Sequence, residues 1–429
     1  MTNIITDIKA QEILINTGTA TLRAKVCIDH QYWGFADMPL GICNCHSEAR
    51  VIIDNEKRLR GSGVRGAVFN VMEKIRPRLM GSDASDQNTV DQLLIDIDGT
   101  PDKSNLGGNA IFPVSFAVAK AVAKAKGVPL YAHLNKEADL LPVPWVSLLV
   151  GGWQGANSMD IQDISLMPAQ ATSFAEAVDY SVEAFFCLKE VLAEKHGEYA
   201  TNFTIDGGFS SPVGLTTEAL DLLLEAARRV GGENSCVMHI DVSSSNLYDT
   251  EKKRYLFEGR ERTAEEMVQY ALSVSRDYPQ VKVWEDVVEQ NDFDNYKHLV
   301  QKLPNHMVLG DDIFGTDLAR IKKGFEMGAA NAALCKIGQP GTLSEALAAA
   351  KYITQKGTLA MSVRAVETED DGICDLSVAL GAPHIKTAGI QGSERSTKFN
   401  RFLEIERELG STARYAGNYI DKTIFPRIK

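Results

Sequence analysis

The chain has 429 residues, 44% of them hydrophobic and 24% charged, enough for two or three domains and unlike a disordered or fibrous protein. Its 45 basic residues against 57 acidic ones give a formal net charge of −12, which argues against a nucleic-acid scaffold because phosphate binding needs clustered positive charge. The N-terminal stretch MTNIITDIKAQEILINTG has no basic segment ahead of an apolar core, and no apolar run approaches the ~20 residues that span a bilayer, so no signal peptide and no membrane segment are expected. Seven scattered cysteines, an odd number, form no disulfide framework, and a cytoplasmic protein is expected.

In chain order, residues 10–29 alternate apolar and polar side chains, the period of a half-buried strand or hairpin. The spacing of Val64, Val68, Val71 and Ile75 then predicts a helix over 64–80, and an alanine-rich helix is predicted over 111–126. Between the hairpin and the first helix lies a loop of small and unusual residues, 38–46. LLPVPWV (140–146) reads as a linker, which divides the chain into an α+β domain over residues 1–141 and a second domain over 142–429.

From Val143 onward, short apolar runs alternate with helical stretches. Ser173 with Glu176 and Thr263 with Glu266 have the spacing of capping boxes. The runs over 237–242, 281–285, 306–311, 332–337, 359–364 and 384–387 end at or beside Asp241, Glu285, Asp311, Lys336, Arg364 and Lys386, and the last five of these charges follow one another at 22 to 28 residues. That is close to the ~30 residues of a strand-helix-strand unit, and such units close into a (β/α)-type barrel whose active site lies at the C-terminal ends of the strands. The charges are therefore expected at one mouth.

Asp241, Glu285 and Asp311 each follow an apolar strand (MHID, KVWED, MVLGD). Any one acid at a strand end is more often a helix cap, whereas three in consecutive units offer the hard oxygen donors that suit Mg²⁺. Lys336, Arg364 and Lys386 end the next three runs. They read either as salt-bridge partners of those carboxylates or as groups that meet an anionic substrate, and a lysine near a divalent cation and a second ammonium has its pKa lowered enough to act as a general base.

The stretches DGTPDKSNLGGNAI (98–111), LPVPWVSLLVGG (141–152), IDGGF (205–209), WED (284–286), GDDIFGT (310–316), KIGQPGT (336–342), VRAVETEDD (363–371) and IKTAGIQGSERSTKFNRFLEIE (385–406) give the chain a collinear resemblance to the enolase (phosphopyruvate hydratase) family over about 13–408. The resemblance implies an α/β fold, an enolase-type (β/α)8 barrel preceded by a smaller N-terminal α+β capping domain, and a homodimer or larger homo-oligomer. It also implies Mg²⁺ at Asp241, Glu285 and Asp311, with Lys336 as the base that removes the proton α to a carboxylate. In the same way Lys386 is expected to hold the substrate carboxylate and Arg364 a phosphate. A lysine base working with one or two Mg²⁺ ions is the known pattern of this superfamily.

The leaving-group half departs from the family pattern. The family's loop P-S-G-A-S-T-G reads Pro39-Leu40-Gly41-Ile42-Cys43-Asn44-Cys45, so Leu40 stands where a serine chelates a second Mg²⁺. Val363 and Ala365 flank Arg364 where the family has histidine and serine, and Gln154, after Trp153, replaces a histidine. Asp163 and Asp206 each replace a glutamate, the latter at the position of the acid for the departing hydroxyl. Losing one methylene withdraws a carboxylate by roughly 1.5 Å, and a misplacement of about 1 Å can cost 10²-fold in rate. Cys43-Asn44-Cys45-His46 matches no standard zinc spacing and is read as small buried loop residues, and His239 as a core histidine bonded beneath the metal site.

The expectation is a Mg²⁺-dependent lyase that forms an enolate from a small anionic carboxylate and has diverged from 2-phosphoglycerate dehydration. The alternatives are a genuine but weak phosphopyruvate hydratase, an enzyme similar to carboxyphosphonoenolpyruvate synthase of phosphonate biosynthesis, and a non-catalytic enolase-like binding protein. Two lysines and three carboxylates at one mouth count against the last.

Overall fold

The computed structural model describes residues 2–41, 45–232 and 236–419. Ile5–Leu14 (β1) and Ala20–Ile28 (β2) form the expected hairpin, with Ile8 opposite Val26 and Glu12 opposite Leu22, and Tyr32–Asp37 (β3) extends it antiparallel to β2. Alternation buries Leu22, Ala24, Val26 and Ile28 completely, and the outward Arg23 pairs with Asp37 at 2.6 Å. The helix predicted over 64–80 is a helical stretch over 65–79 whose middle, Asn70–Ile75, widens to π geometry. Gln87–Asp98 (α1) follows, capped by Asp86 and closed by Gly99 in the left-handed conformation.

The alanine-rich segment is the helix Gly108–Lys126 (α2), buried almost throughout and packed across the three-stranded sheet. Gly34 on β3 permits that contact, because a Cβ there would lie 2.2 Å from the carbonyl oxygen of Ala117. Small residues on both sides let backbone approach backbone.

Eight strands form the barrel: Val143–Val150 (β4), Asp163–Met167 (β5), Val237–Asp241 (β6), Val281–Glu285 (β7), Met307–Gly310 (β8), Ala332–Cys335 (β9), Thr358–Ser362 (β10) and His384–Ala388 (β11). They pair in that order, and β11 returns to β4 to close the ring. The barrel is not the uniform repeat that the spacing predicts. β5 runs antiparallel to both β4 and β6, only a single helical turn separates it from β4, and the two helices Phe174–His196 (α3) and Thr216–Arg229 (α4) come together after it. The reversal brings Asp163, the first residue of β5, opposite Asp241, the last of β6.

From β6 onward barrel strand and helix alternate through Ala264–Asp277 (α5), Phe293–Lys302 (α6), Leu318–Met327 (α7), Leu343–Lys356 (α8), Gly372–Ala379 (α9) and Ser393–Leu409 (α10), with a small separate three-stranded sheet over 248–262 between β6 and α5. Thr263 and Glu266 form the full capping box of α5. Ser173 accepts the Glu176 amide of α3, but the Glu176 side chain turns to Thr172, so that box is half made.

The N-terminal segment lies across the barrel mouth. Leu40 and Val366 exchange backbone hydrogen bonds at 2.8 and 3.2 Å, the amide of Ala49 donates to Gln339 at 2.8 Å, and Lys120 pairs with Asp370.

Candidate active site

Parallel strands carry their C-terminal residues to one end of the barrel, and the reversed β5 carries its N-terminal residue there. Asp163, Asp241, Glu285 and Asp311 are therefore neighbours, each at most 4% exposed. The ammonium of Lys386 stands among three of them, with Nζ 2.7 Å from Asp241, 2.9 Å from Glu285 and 3.1 Å from Asp163. Lys336 pairs with Asp311. Both lysines are thus partners of the carboxylates, one of the two arrangements that the sequence allows.

The three expected metal carboxylates do not form a group by themselves. Asp241, Glu285 and Asp286 offer oxygens within 4.8 Å of one another, and Asp311 groups instead with Asp286 and Asp312. Asp286 belongs to both groups, with its oxygens engaged by the hydroxyl of Tyr296 at 2.7 Å and by the amides of Asp311 and Asp312 at 3.2 and 2.8 Å. Asp312 is buried with no hydrogen-bond partner on either oxygen, and Asp241 Oδ1 is buried without one.

Burial pushes Asp241 and Glu285 upward, reinforced at Asp241 by Glu285 and at Glu285 by Asp311 against the pull of Lys386, and pushes Asp286 and Asp312 well up, reinforced by neighbouring carboxylates. Burial works the same way on Asp163 and Asp311, but Lys386 prevails at the first and Lys336 at the second, so both lie below the ordinary value. Six buried carboxylates meet two ammonium groups here. This excess of hard, negative oxygens fits a divalent cation.

A cavity beside the cluster is lined by Lys336, Lys386, Asp163, Asp206, Arg364 and Gln154 among others. Asp206 is 5% exposed and pushed up to about 6 by burial, against the pull of Arg395 at 3.6 Å. Asp163 is anchored from below, where Oδ1 accepts the hydroxyls of Ser147 at 3.0 Å and Ser165 at 2.7 Å. Gln154 is buried, its Oε1 without a partner. Arg364 Nη2 donates to both oxygens of Glu48 at 2.8 and 3.1 Å. Val363 and Ala365 line the cavity on either side of it.

Leu40 sits differently from what its sequence position suggests. Its backbone is tied to Val366, its side chain packs against the core, and Gly41 is the residue that lines the cavity. A Cβ on Gly41 would fall 1.5 Å from Arg364 Nη2, so any side chain there would require that guanidinium to move. Cys43 lies outside the described residues, while Cys45 is half-buried, with its thiol pushed up to about 11 chiefly by desolvation. That leaves Cys45 a protonated loop residue, half-buried where the sequence reading expected a buried one. His239, fully buried, has Nε2 2.7 Å from Glu285 Oε2, the contact beneath the cluster that its strand position predicts.

Glu48, Gln162, Asp286, Asp312 and Arg395 escaped the sequence reading. Gln162 Nε2 donates to Asp241 Oδ2 at 2.8 Å. The doubled acids in WED and GDD are a visible signal for Asp286 and Asp312, and Arg395 falls within a matched stretch. Nothing local marks Glu48.

Two family models match the chain: "Enolase, N-terminal domain" over residues 5–134 and "Enolase, C-terminal TIM barrel domain" over residues 138–424. Proteins named Enolase from Methanocaldococcus jannaschii and Methanococcus vannielii are 40% and 39% identical over 415 residues, covering 96% of this chain and 97% of each relative. One from Pyrococcus furiosus is 39% identical over 426 residues, 98% of this chain and 99% of that protein. No helix is long and apolar enough to cross a membrane among the described residues. With both domains matched, the barrel closed and an acidic cluster at its mouth, the chain belongs to the enolase family as a lyase of the hydro-lyase type.

Proposed function

We propose that the protein is a Mg²⁺-dependent lyase that removes the proton α to a substrate carboxylate and acts on something other than 2-phosphoglycerate. One observation carries this reading: Lys336, Lys386, Asp206 and Arg364 line a single cavity beside the buried carboxylates. Asp241, Glu285 and Asp311, the positions that the family resemblance assigns to the ion, would hold it, while the oxygens of Asp286, which belongs to both carboxylate groups, are engaged by Tyr296 and two backbone amides. Bound there, Mg²⁺ would supply positive charge to the oxygens of an enolate and take up the carboxylate charge that otherwise pairs with the two lysines.

Lys336 in its neutral form takes the α-hydrogen as a proton, and the C–H electron pair passes into the carboxylate to give the enolate. Lys386 faces the same cavity with fixed positive charge where negative charge develops. The electron pair then returns to expel the β-substituent. Asp206, whose carboxyl burial holds at about 6, is the acid that protonates the leaving group.

The opposite wall argues for a different substrate. A phosphate would meet one arginine already shared with Glu48, between two side chains, Val363 and Ala365, that donate no hydrogen bond. Leu40 offers no oxygen for a second metal ion.

A second reading, a weak but genuine phosphopyruvate hydratase, is favoured by the 39–40% identity to proteins named Enolase over nearly the whole chain. Assay of 2-phosphoglycerate dehydration with a clean preparation separates the two. Turnover at least about 10²-fold below that of an ordinary enolase supports the diverged substrate, and normal turnover replaces it with the hydratase. The same reading carries the division into residues 1–141 and 142–429 and a homodimer or larger assembly, which light scattering checks.

A further inference from the structure

His239, at the base of the carboxylate cluster, is a titratable side chain to which the proposed chemistry gives no task. Barrel interiors are ordinarily filled by branched apolar side chains, yet the residue two positions before Asp241 on β6, facing the same way, is an imidazole with no exposed surface. Its Nε2 lies 2.7 Å from Glu285 Oε2, its Nδ1 has no hydrogen-bond partner and stands 3.9 Å from Asp163 Oδ1, and its ring rests on Trp145 with centroids 4.9 Å apart. A leucine would fill this layer without leaving a buried nitrogen unpaired. It could not hold Glu285.

A carboxylate that holds a cation is ionised and only accepts hydrogen bonds, so in that state the 2.7 Å contact requires the hydrogen on Nε2 and the lone pair on Nδ1. Nε2–H on Oε2 restrains the Glu285 carboxylate about its terminal torsion together with Lys386, which contacts both its oxygens, and the Trp145 ring packs against the imidazole. Trp145 is itself held, because its Nε1–H donates to His384 Nδ1 at 3.1 Å. The chain His384–Trp145–His239–Glu285 therefore runs from β11 through β4 and β6 to β7, across the barrel floor to one oxygen pair of the cluster.

We infer that His239 is a positioning residue that presets the Glu285 carboxylate for a divalent cation by donating Nε2–H to Oε2. The inference rests on the reading of Glu285 as a metal ligand and adds what holds that ligand in place. Side chains that hold a metal ligand from behind typically contribute 10–100-fold to affinity.

The test is titration calorimetry of Mg²⁺ alone into the full-length wild type, His239→Leu and His239→Gln, joined to ¹⁵N-histidine NMR of the wild type. The expected result is a roughly 10–100-fold weaker Mg²⁺ affinity in His239→Leu, partial recovery in His239→Gln, whose amide can donate in the same direction, and an Nε2–H tautomer for His239. Equal affinity in wild type and His239→Leu, or an Nδ1–H tautomer, overturns the inference and leaves the metal reading standing. A wild type with no affinity for Mg²⁺ overturns the metal reading, and this inference with it. Should His239→Leu fail to fold, the Gln variant and the tautomer decide.

Discussion

Arg395 Nη1 donates to the carbonyl oxygen of Arg364 at 2.9 Å, so a fully buried guanidinium on α10 fixes from behind the arginine that faces the cavity. Arg395 also donates through Nη2 to the carbonyls of Ala365 at 2.6 Å and Ile205 at 3.2 Å and lies 3.6 Å from Asp206. One side chain thus ties the strand-end segment carrying Arg364 to the loop carrying Asp206. Arg395→Met should cost about 3–5 kcal/mol, since it strands three carbonyls and a carboxyl without their donor. Urea denaturation measures this, and a loss below about 1 kcal/mol would show that the contacts are incidental. Because Arg395 pulls the Asp206 carboxyl down against burial, the same variant should titrate Asp206 above about 6.

Asp311→Ala should weaken Mg²⁺ binding measurably by calorimetry, because each carboxylate is one of few protein ligands to a hard ion. Unchanged affinity would exclude Asp311 from the ligand set and shift attention to Asp286 and Asp312, whose oxygens group with it.

With the true substrate in D₂O, the wild type should exchange the α-hydrogen with solvent, and Lys336→Ala should not. Exchange that persists in Lys336→Ala moves the base elsewhere. Lys386, on the same cavity, is then the first candidate.

His384 gives the fold a dependence on acid. It is fully buried, accepts from Trp145 on Nδ1, and burial pushes it down from the ordinary 6.5 to about 3. A histidine depressed in the folded state is protonated first in the unfolded chain. Its contribution to stability is therefore complete above pH 6.5 and is lost as pH falls toward 3, with a slope of about 1.4 kcal/mol per pH unit in between. His384→Gln, which keeps an acceptor for Trp145, should reduce the slope of unfolding free energy between pH 6.5 and 4.5 by one proton. An unchanged slope would assign the acid sensitivity to other groups.

Periodicity made the strands readable in this chain because each apolar run is short and the first four of the six lead to helices with a side-chain cap, at Thr263, Asp292, Asp317 and Thr342. The runs ending at Asp241 and Glu285 coincide with β6 and β7. Once such strands are parallel, their final residues must share one end of the barrel, so the convergence of three carboxylates, two lysines and an arginine follows from spacing together with that shared direction. The doubled acids after Glu285 and Asp311 were equally visible, yet their division of labour was not. That division depends on which oxygens Tyr296 and the backbone amides engage, and these donors lie on segments far apart in sequence.

By itself, the sequence determined the fold class, the mouth at which the charged residues gather and the substitutions around Arg364, because all three depend on local pattern and residue identity. Tertiary structure decided the rest. The reversal of β5 brings Asp163, at a strand's beginning, opposite Asp241, at a strand's end, and no periodicity encodes strand direction. It also decided that Glu48 meets Arg364 across 316 residues and that Lys386 reaches Asp241 across 145. Such pairings are set by closure of the barrel and by the N-terminal segment lying over its mouth, where burial favours pairing of opposite charges wherever in the chain they lie.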